Sequence, residues 1–159
     1  MFVAAVFLPL LGSLIAGLLG RSIGKRGAQA VTCGCMIVAG VCGVLSLKSV
    51  LDANSAATTV RLFTWIGSGS FEVAWALRYD ALSAVMVAMV TCVSASIHVY
   101  SVGYMAHDKS VPRFMAYLSL FTFFMLMLVT SNDLVQLFFG WEGVGLASYL
   151  LIGFWFERP

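Results

Sequence analysis

The chain has 159 residues, 61% of them hydrophobic and 10% charged, with a mean hydropathy of +0.98. That balance belongs to an integral membrane protein and leaves little room for a soluble domain. A formal net charge of +2, spread over connecting stretches, makes no basic patch of the kind that nucleic acid requires.

The first apolar run covers residues 2–19 and is interrupted only by Pro9, glycine and serine. Its positive charges follow the apolar core, and no small-x-small cleavage site precedes Arg21, so it reads as a retained first transmembrane helix and not a signal peptide. Arg21, Lys25 and Arg26 form a short basic loop, punctuated by Gly24 and Gly27. A second run, residues 28–47, is rich in Gly, Ala and Cys, which suits a helix packed closely on others.

From Lys48 to Tyr79 the texture changes. Charges return at Lys48, Asp52, Arg61, Glu72 and Arg78, and Gly67, Ser68, Gly69 and Ser70 predict a turn. The flanks RLFTWI and FEVAWALRY alternate and carry aromatics, the pattern of two short strands in an extramembrane hairpin. Trp65 and Trp75 are placed to rest at the membrane interface.

The third run, from about Asp80 to Tyr104, carries Ser83, Thr91, Ser94, His98 and Ser101 on one face at helical spacing. His98 is a candidate proton relay, with a structural hydrogen bond as the plainer alternative. The charged connector HDKSVPR, His107 to Arg113, separates it from a fourth helix over residues 114–130. That helix, with LFTFFMLMLV at its centre, is apolar all round and offers no chemistry. Ser131, Asn132 and Asp133 predict a tight turn, with Asp133 capping the helix that follows.

The fifth run, residues 134–156, holds one acid, Glu142. Twenty-three helical residues would span roughly 35 Å and place Glu142 about 12 Å from the helix start, inside a hydrocarbon core of about 30 Å. An acid there costs about 2.5–3.5 kcal/mol on insertion scales, so it must face protein or water, and it is a functional candidate by default. Gly140, Gly143 and Ala147 make a small-residue face for a neighbouring helix, while Gly145, Ser148 and Tyr149 lie on the side of Glu142. Proton or ion handling and a structural hydrogen bond to another helix are the two readings of this acid.

The fold class is therefore an all-α integral membrane protein of about five transmembrane helices, with a short β-hairpin between helices 2 and 3. The expected organisation is helices 1 and 2 over residues 1–50, the hairpin over 51–78, and helices 3 to 5 over 79–159. Basic connectors at Arg21, Lys25 and Arg26 and at Lys109 and Arg113 belong on the cytoplasmic or matrix side, which puts the N-terminus on the periplasmic or intermembrane side. The cysteines, Cys33, Cys35, Cys42 and Cys92, fall in apolar runs without matching His or Cys pairs, so they are expected to be buried thiols with no metal site. No dinucleotide fingerprint, phosphate loop, haem motif or iron–sulfur cysteine array is present in the sequence.

At LRYDALSAVM, IHVYSVGYM and above all FFGWEGVGLASYLLIGFW, the sequence resembles the largest antiporter-like membrane subunit of respiratory complex I, the NADH:quinone oxidoreductase (subunit L of bacteria, chain 5 of mitochondria). The large subunit of Mrp-type sodium/proton antiporters is similar through the last motif and is the alternative. The resemblance implies proton translocation driven by quinone reduction elsewhere, with NADH, FMN, iron–sulfur clusters and quinone in other subunits and no cofactor on this chain. It implies that Glu142 pairs with a buried lysine two helices later, so that moving one charge changes the proton affinity of the other. It also implies other membrane-arm subunits as partners, the neighbouring antiporter-like subunit in particular. Family members have some fourteen to sixteen helices, so this chain is expected to be a fragment or split product completed by the remainder of its subunit, with a degenerate remnant as the alternative. The expected setting is the bilayer of a bacterial inner membrane, with the mitochondrial inner membrane as the alternative.

Overall fold

The computed structural model describes residues 1–53, 56–69 and 71–156. Its first helix, α1 (Phe2–Asp52), has 51 residues and would be roughly 77 Å long if straight, more than twice a bilayer core. It does not run straight. Gly24 alone leaves helical angles, at φ 69° and ψ −177°, a left-handed conformation that a residue without Cβ adopts at no steric cost. The chain doubles back there: a Cβ on Gly12 would sit 3.4 Å from the Cys35 side chain, and Ala16 and Ala28 are buried together. The basic stretch expected as a loop is thus helical on both sides of a one-residue break, and α1 supplies two antiparallel limbs.

After the hairpin come α2 (Ala81–Tyr104), α3 (Val111–Val129) and α4 (Leu134–Ile152). Among the described residues, four helices are long and apolar enough to cross a membrane, α1 among them, and the chain is an integral membrane protein. Asp80 caps α2 by accepting from the Ser83 N–H at 2.8 Å. Asp133 caps α4 in the same way, accepting from the Gln136 N–H at 2.9 Å. Pro112 lies in the first turn of α3, where a missing N–H costs nothing, so that helix begins inside the connector expected to precede it.

α3 is the central element, packed against both limbs of α1 on one side and α4 on the other, with α2 alongside. Lipid tails are as apolar as leucine, so close approach of backbones and not exclusion from water must hold such helices together. Small residues provide it: a Cβ on Gly43 would lie 2.6 Å from the Thr91 hydroxyl of α2, and one on Gly20 would lie 2.7 Å from Pro112 of α3.

Strands β1 (Thr58–Ser68) and β2 (Phe71–Tyr79) pair antiparallel from Thr58 opposite Tyr79 to Ser68 opposite Phe71, with two register shifts. Gly67 and Ser68, expected in the turn, are strand residues paired with Glu72 and Phe71. Gly69 turns the chain at φ 60°, and Ser70 lies outside the described residues. β2 closes one end of the bundle. Arg78 N–H donates to the Thr130 carbonyl at 2.8 Å, Ala76 N–H donates to Gln136 Oε1 at 3.1 Å, and the Tyr79 hydroxyl donates to the Phe2 carbonyl at 3.0 Å. Burial pushes the Tyr79 phenol well up from its ordinary pKa, as befits a neutral tie. Trp75 lies among the rings of Phe63, Trp65 and Phe139, so the hairpin tryptophans pack on the start of α4.

Two further expectations need correction. The fifth helix stops at Ile152 and not Phe156, because Gly153 caps it and Phe154 folds back, 4% exposed, against Met105, Val111 and Met115. The Arg113 guanidinium holds it there, 4.7 Å above the Phe154 ring and bonded to its carbonyl. The cysteines are free thiols but are not buried: Cys33, Cys35 and Cys42 are half-buried, and Cys92 is exposed on the outer face of α2.

Candidate functional site

The orientation of α4 is fixed by what its small residues meet. A Cβ on Gly140 would come within 2.7 Å of the Leu128 backbone nitrogen, and one on Gly143 would lie 2.0 Å from the Phe124 ring. Real side chains do not approach so closely, so only glycine lets α4 lie against α3 at these two positions. Gln136, Gly140, Gly143 and Ala147 form the buried stripe. At 3.6 residues per turn, Glu142 lies about 130° around the helix from the middle of that stripe. It shares the exposed face with Trp141, Gly145 and Tyr149.

Glu142 is thus some 12 Å from the start of a helix roughly 28 Å long, well within membrane depth. Among the described residues none gives it a hydrogen bond or an ion pair. Two recesses flank its carboxylate. One, of about 350 Å³, is lined by Trp141, Val144 and Gly145, where the missing Cβ leaves room. The other, of about 650 Å³, runs between Trp65 and Phe124 and continues past Phe139 to Leu146. The small-residue face is where the spacing put it. The hydroxyls of Ser148 and Tyr149 do not bond the acid.

His98 has the opposite environment. It is fully buried, and both ring nitrogens have partners. Nδ1 lies 2.8 Å from the Ser94 carbonyl, which can only accept, so Nδ1 carries the proton. Nε2 lies 2.9 Å from Ser119 Oγ on α3 and in the neutral ring accepts from that hydroxyl. Thr122 Oγ1 donates to the Leu118 carbonyl at 3.1 Å, so at the 2.6 Å contact between Ser94 and Thr122 the serine is the donor. Each hydroxyl has one proton and one direction, and the network is satisfied.

The rest of the polar stripe on α2 is divided among other tasks. Thr91 bonds the Val87 carbonyl beneath Gly43 of α1, Ser101 bonds the Ile97 carbonyl, and Ser83 takes the cap. Ser119 and Thr122 are the hydrogen-bonding members of this network that sequence reasoning missed. The signal was present, since they are spaced three apart on the same face of α3 as Met115, Phe123 and Leu126, in a helix otherwise read as uniformly apolar. The structure does not bring His98 and Glu142 together: His98 faces α3, and Glu142 points away from it. Among the described residues no group of three metal-binding side chains occurs.

Among the described residues, the site is an apolar helix bundle that carries one acid, Glu142, at mid-span of α4. Residues 131–159, which include Glu142, match the transmembrane family described as NADH:quinone oxidoreductase/Mrp antiporter, and this sets the class as antiporter-like. Residues 65–115 match the family described as NADH-Ubiquinone oxidoreductase (complex I), chain 5 N-terminus. Proteins named NADH-ubiquinone oxidoreductase chain 5 from Chondrus crispus and Arabidopsis thaliana are each 48% identical over 158 residues, and that from Cryphonectria parasitica is 45% identical. Each alignment covers 99% of this chain and 24% of the relative. The chain belongs to the chain 5 family of complex I. It spans about a quarter of the length of the curated relatives it matches.

Proposed function

We propose that this chain is part of the proton-translocating membrane-arm subunit of an NADH:quinone oxidoreductase, with Glu142 as its proton-handling carboxylate. The observation that carries the reading is the position of Glu142: mid-membrane, unpartnered among the described residues and opening on recesses either side. A carboxylate so placed responds to whatever cation is brought to it or withdrawn, and that response couples charge movement to proton uptake and release. The cation belongs to the remainder of the subunit. NADH, FMN, iron–sulfur clusters and quinone are held by other subunits, and this chain supplies no redox chemistry. Its partners are the neighbouring antiporter-like subunit and the rest of the membrane arm.

His98 is the second site residue. With a hydroxyl at each ring nitrogen, Ser119 at Nε2 and Ser94 at 3.3 Å from Nδ1, it can accept a proton on one side and pass one on the other. The setting is an inner membrane of the bacterial type, with the N-terminus and hairpin on the periplasmic side. The relatives from plants, algae and fungi favour the mitochondrial inner membrane as the second setting.

Glu142→Gln in the complete subunit tests the reading, in inverted membrane vesicles given NADH, with acidification and quinone reduction followed in one sample. Pumping is expected to fall while the complex still assembles. Unchanged pumping would sink the proposal. The Mrp-type antiporter reading is favoured by the shared family match at residues 131–159, and it predicts sodium/proton exchange that does not depend on NADH.

A further inference from the structure

The two ends of the bundle differ in how their cations are used. At the hairpin end, Arg61 pairs with Glu72 and Arg78 with Asp80. At the other end, the α1 turn brings Arg21, Lys25 and Arg26 beside the start of α3, since Gly20 abuts Pro112, and the α2–α3 connector adds the cations Lys109 and Arg113 with the His107 side chain beside them. No ion pair involves any of these six among the described residues, and all are exposed.

Three of them border a recess of about 370 Å³ between the α2–α3 connector and the turn after α4. Its walls are braced. Asp108 accepts from the Ser110 N–H at 2.7 Å with one oxygen and from Trp155 Nε1 at 2.9 Å with the other, tying the connector to the C-terminal turn. Arg113 spends one N–H on the Phe154 carbonyl at 3.3 Å and lies over the rings of Phe154 and Phe156, which leaves its other donors unused among the described residues. Beside the recess, the Trp155 and Tyr104 rings are 6.3 Å apart, with Tyr100 stacked on Tyr104 one turn deeper. Amphipathic rings of this kind mark the headgroup level of a bilayer.

We infer that this recess binds the headgroup of an anionic phospholipid, with Lys109 and Arg113 on the phosphate and the aromatic rings against the first carbons of the acyl chains. Charge complementarity selects the occupant. With Lys109 and Arg113 against the one carboxylate of Asp108, which is occupied with Ser110 and Trp155, the rim is net positive at headgroup depth, and this favours a net negative lipid over a zwitterionic one.

The test uses the assembled complex in vesicles containing phosphatidylglycerol or phosphatidylcholine, each with a photoactivatable headgroup, and locates the label by peptide mass spectrometry. The phosphatidylglycerol probe is expected to label residues 107–113 or 153–156 well above the phosphatidylcholine probe. Labelling should fall about five-fold for each cation removed in Lys109→Gln/Arg113→Gln, and stay unchanged in Arg61→Gln at the far end. Equal labelling by the two lipids, label only on another subunit, or no fall in the double variant overturns the proposal. Displacement by millimolar glycerol phosphate would assign the site to a free phosphate compound and overturns it equally. Should the double variant not assemble, because Arg113 also holds Phe154, Lys109→Gln alone decides on the same five-fold criterion.

Discussion

Among the described residues, His98 and Glu142 are the histidine and the acid carried deep within apolar helices, and their surroundings could hardly differ more. His98 is enclosed between α2 and α3 with each ring nitrogen met by a polar group, and the hydroxyls that serve it are themselves satisfied. Glu142 stands on the outer face of α4 with recesses on both sides and no partner among the described residues. Among the described residues, the histidine region is therefore closed and the glutamate region is open. A buried polar group with all its bonds made contributes to architecture whatever else it does. An acid at membrane depth with none made is costly unless it faces water or a partner, so under the proposed function the difference separates a region closed within these helices from one that is not.

The largest effect is expected where the orientation of α4 is set. Gly143→Leu would put a side chain into the Phe124 ring and is predicted to cost about 3 kcal/mol or more, forcing α4 away from α3 and turning Glu142 out of register. Gly145→Ala, two positions on, meets nothing within 4 Å and should be neutral within about 0.5 kcal/mol. Thermal unfolding of both variants in bicelles checks the pair. Equal midpoints would mean that the close approach at Gly143 does not fix the glutamate face.

Next comes the histidine. His98→Ala removes a bond between α2 and α3 and leaves a cavity, for about 2 kcal/mol, and Ser119→Ala removes one hydroxyl for about 1 kcal/mol. In the double variant the losses should not add, with a coupling of about 0.6 kcal/mol, the average for hydrogen bonds between membrane helices, and at most about 1.7 kcal/mol. Strict additivity would show that the two side chains do not communicate, and the closed picture of this region would fail.

The same contrast explains what was legible in the sequence. The apolar runs, the hairpin, the Asp133 cap and the small face of α4 all follow from local pattern: composition over a helix length, period-2 alternation, and glycine at i, i+3. Partners across helices do not. Ser119 and Thr122 looked like incidental hydroxyls in LFTFFMLMLV and its flank, because only packing shows that their face meets Ser94 and His98. The early end of α4 was hidden for a similar reason. Nothing in GFWF announces that Arg113, forty-one residues earlier, draws Phe154 back. Glu142 was legible as an oddity from hydropathy, yet its exposure depends on which face glycines 140 and 143 present to α3.

A smaller effect is expected at the hairpin end of α2, where an acid has a settled task. The backbone N–H of Ser83 holds the Asp80 carboxyl below the usual carboxylate range. Its capping contribution is therefore fully present above the ordinary aspartate pKa and is lost as pH falls through that range and the lowered value beneath it. Asp80→Ala should cost about 1 kcal/mol at neutral pH, and Asp80→Asn should keep most of the cap while flattening its loss in acid. Unfolding midpoints measured from pH 7 down to acid, compared across the three proteins, give the answer directly.

The smallest effect is the one that separates the two regions most sharply. In this chain Glu142→Gln removes a charge that no described residue holds, so the unfolding free energy should change by no more than about 0.5 kcal/mol. In a longer subunit that brings a basic side chain to Glu142, the same substitution strands that cation in the membrane, and breaking a buried pair from one side costs about 3–5 kcal/mol. The difference between the two measurements is the contribution of such a partner. A large loss already in this chain would place a partner for Glu142 within these helices and would make the open region as closed as that of His98. A small loss in both would leave the carboxylate facing water or lipid in the complete protein too, and the charge-pair account of its proton affinity would have to be abandoned.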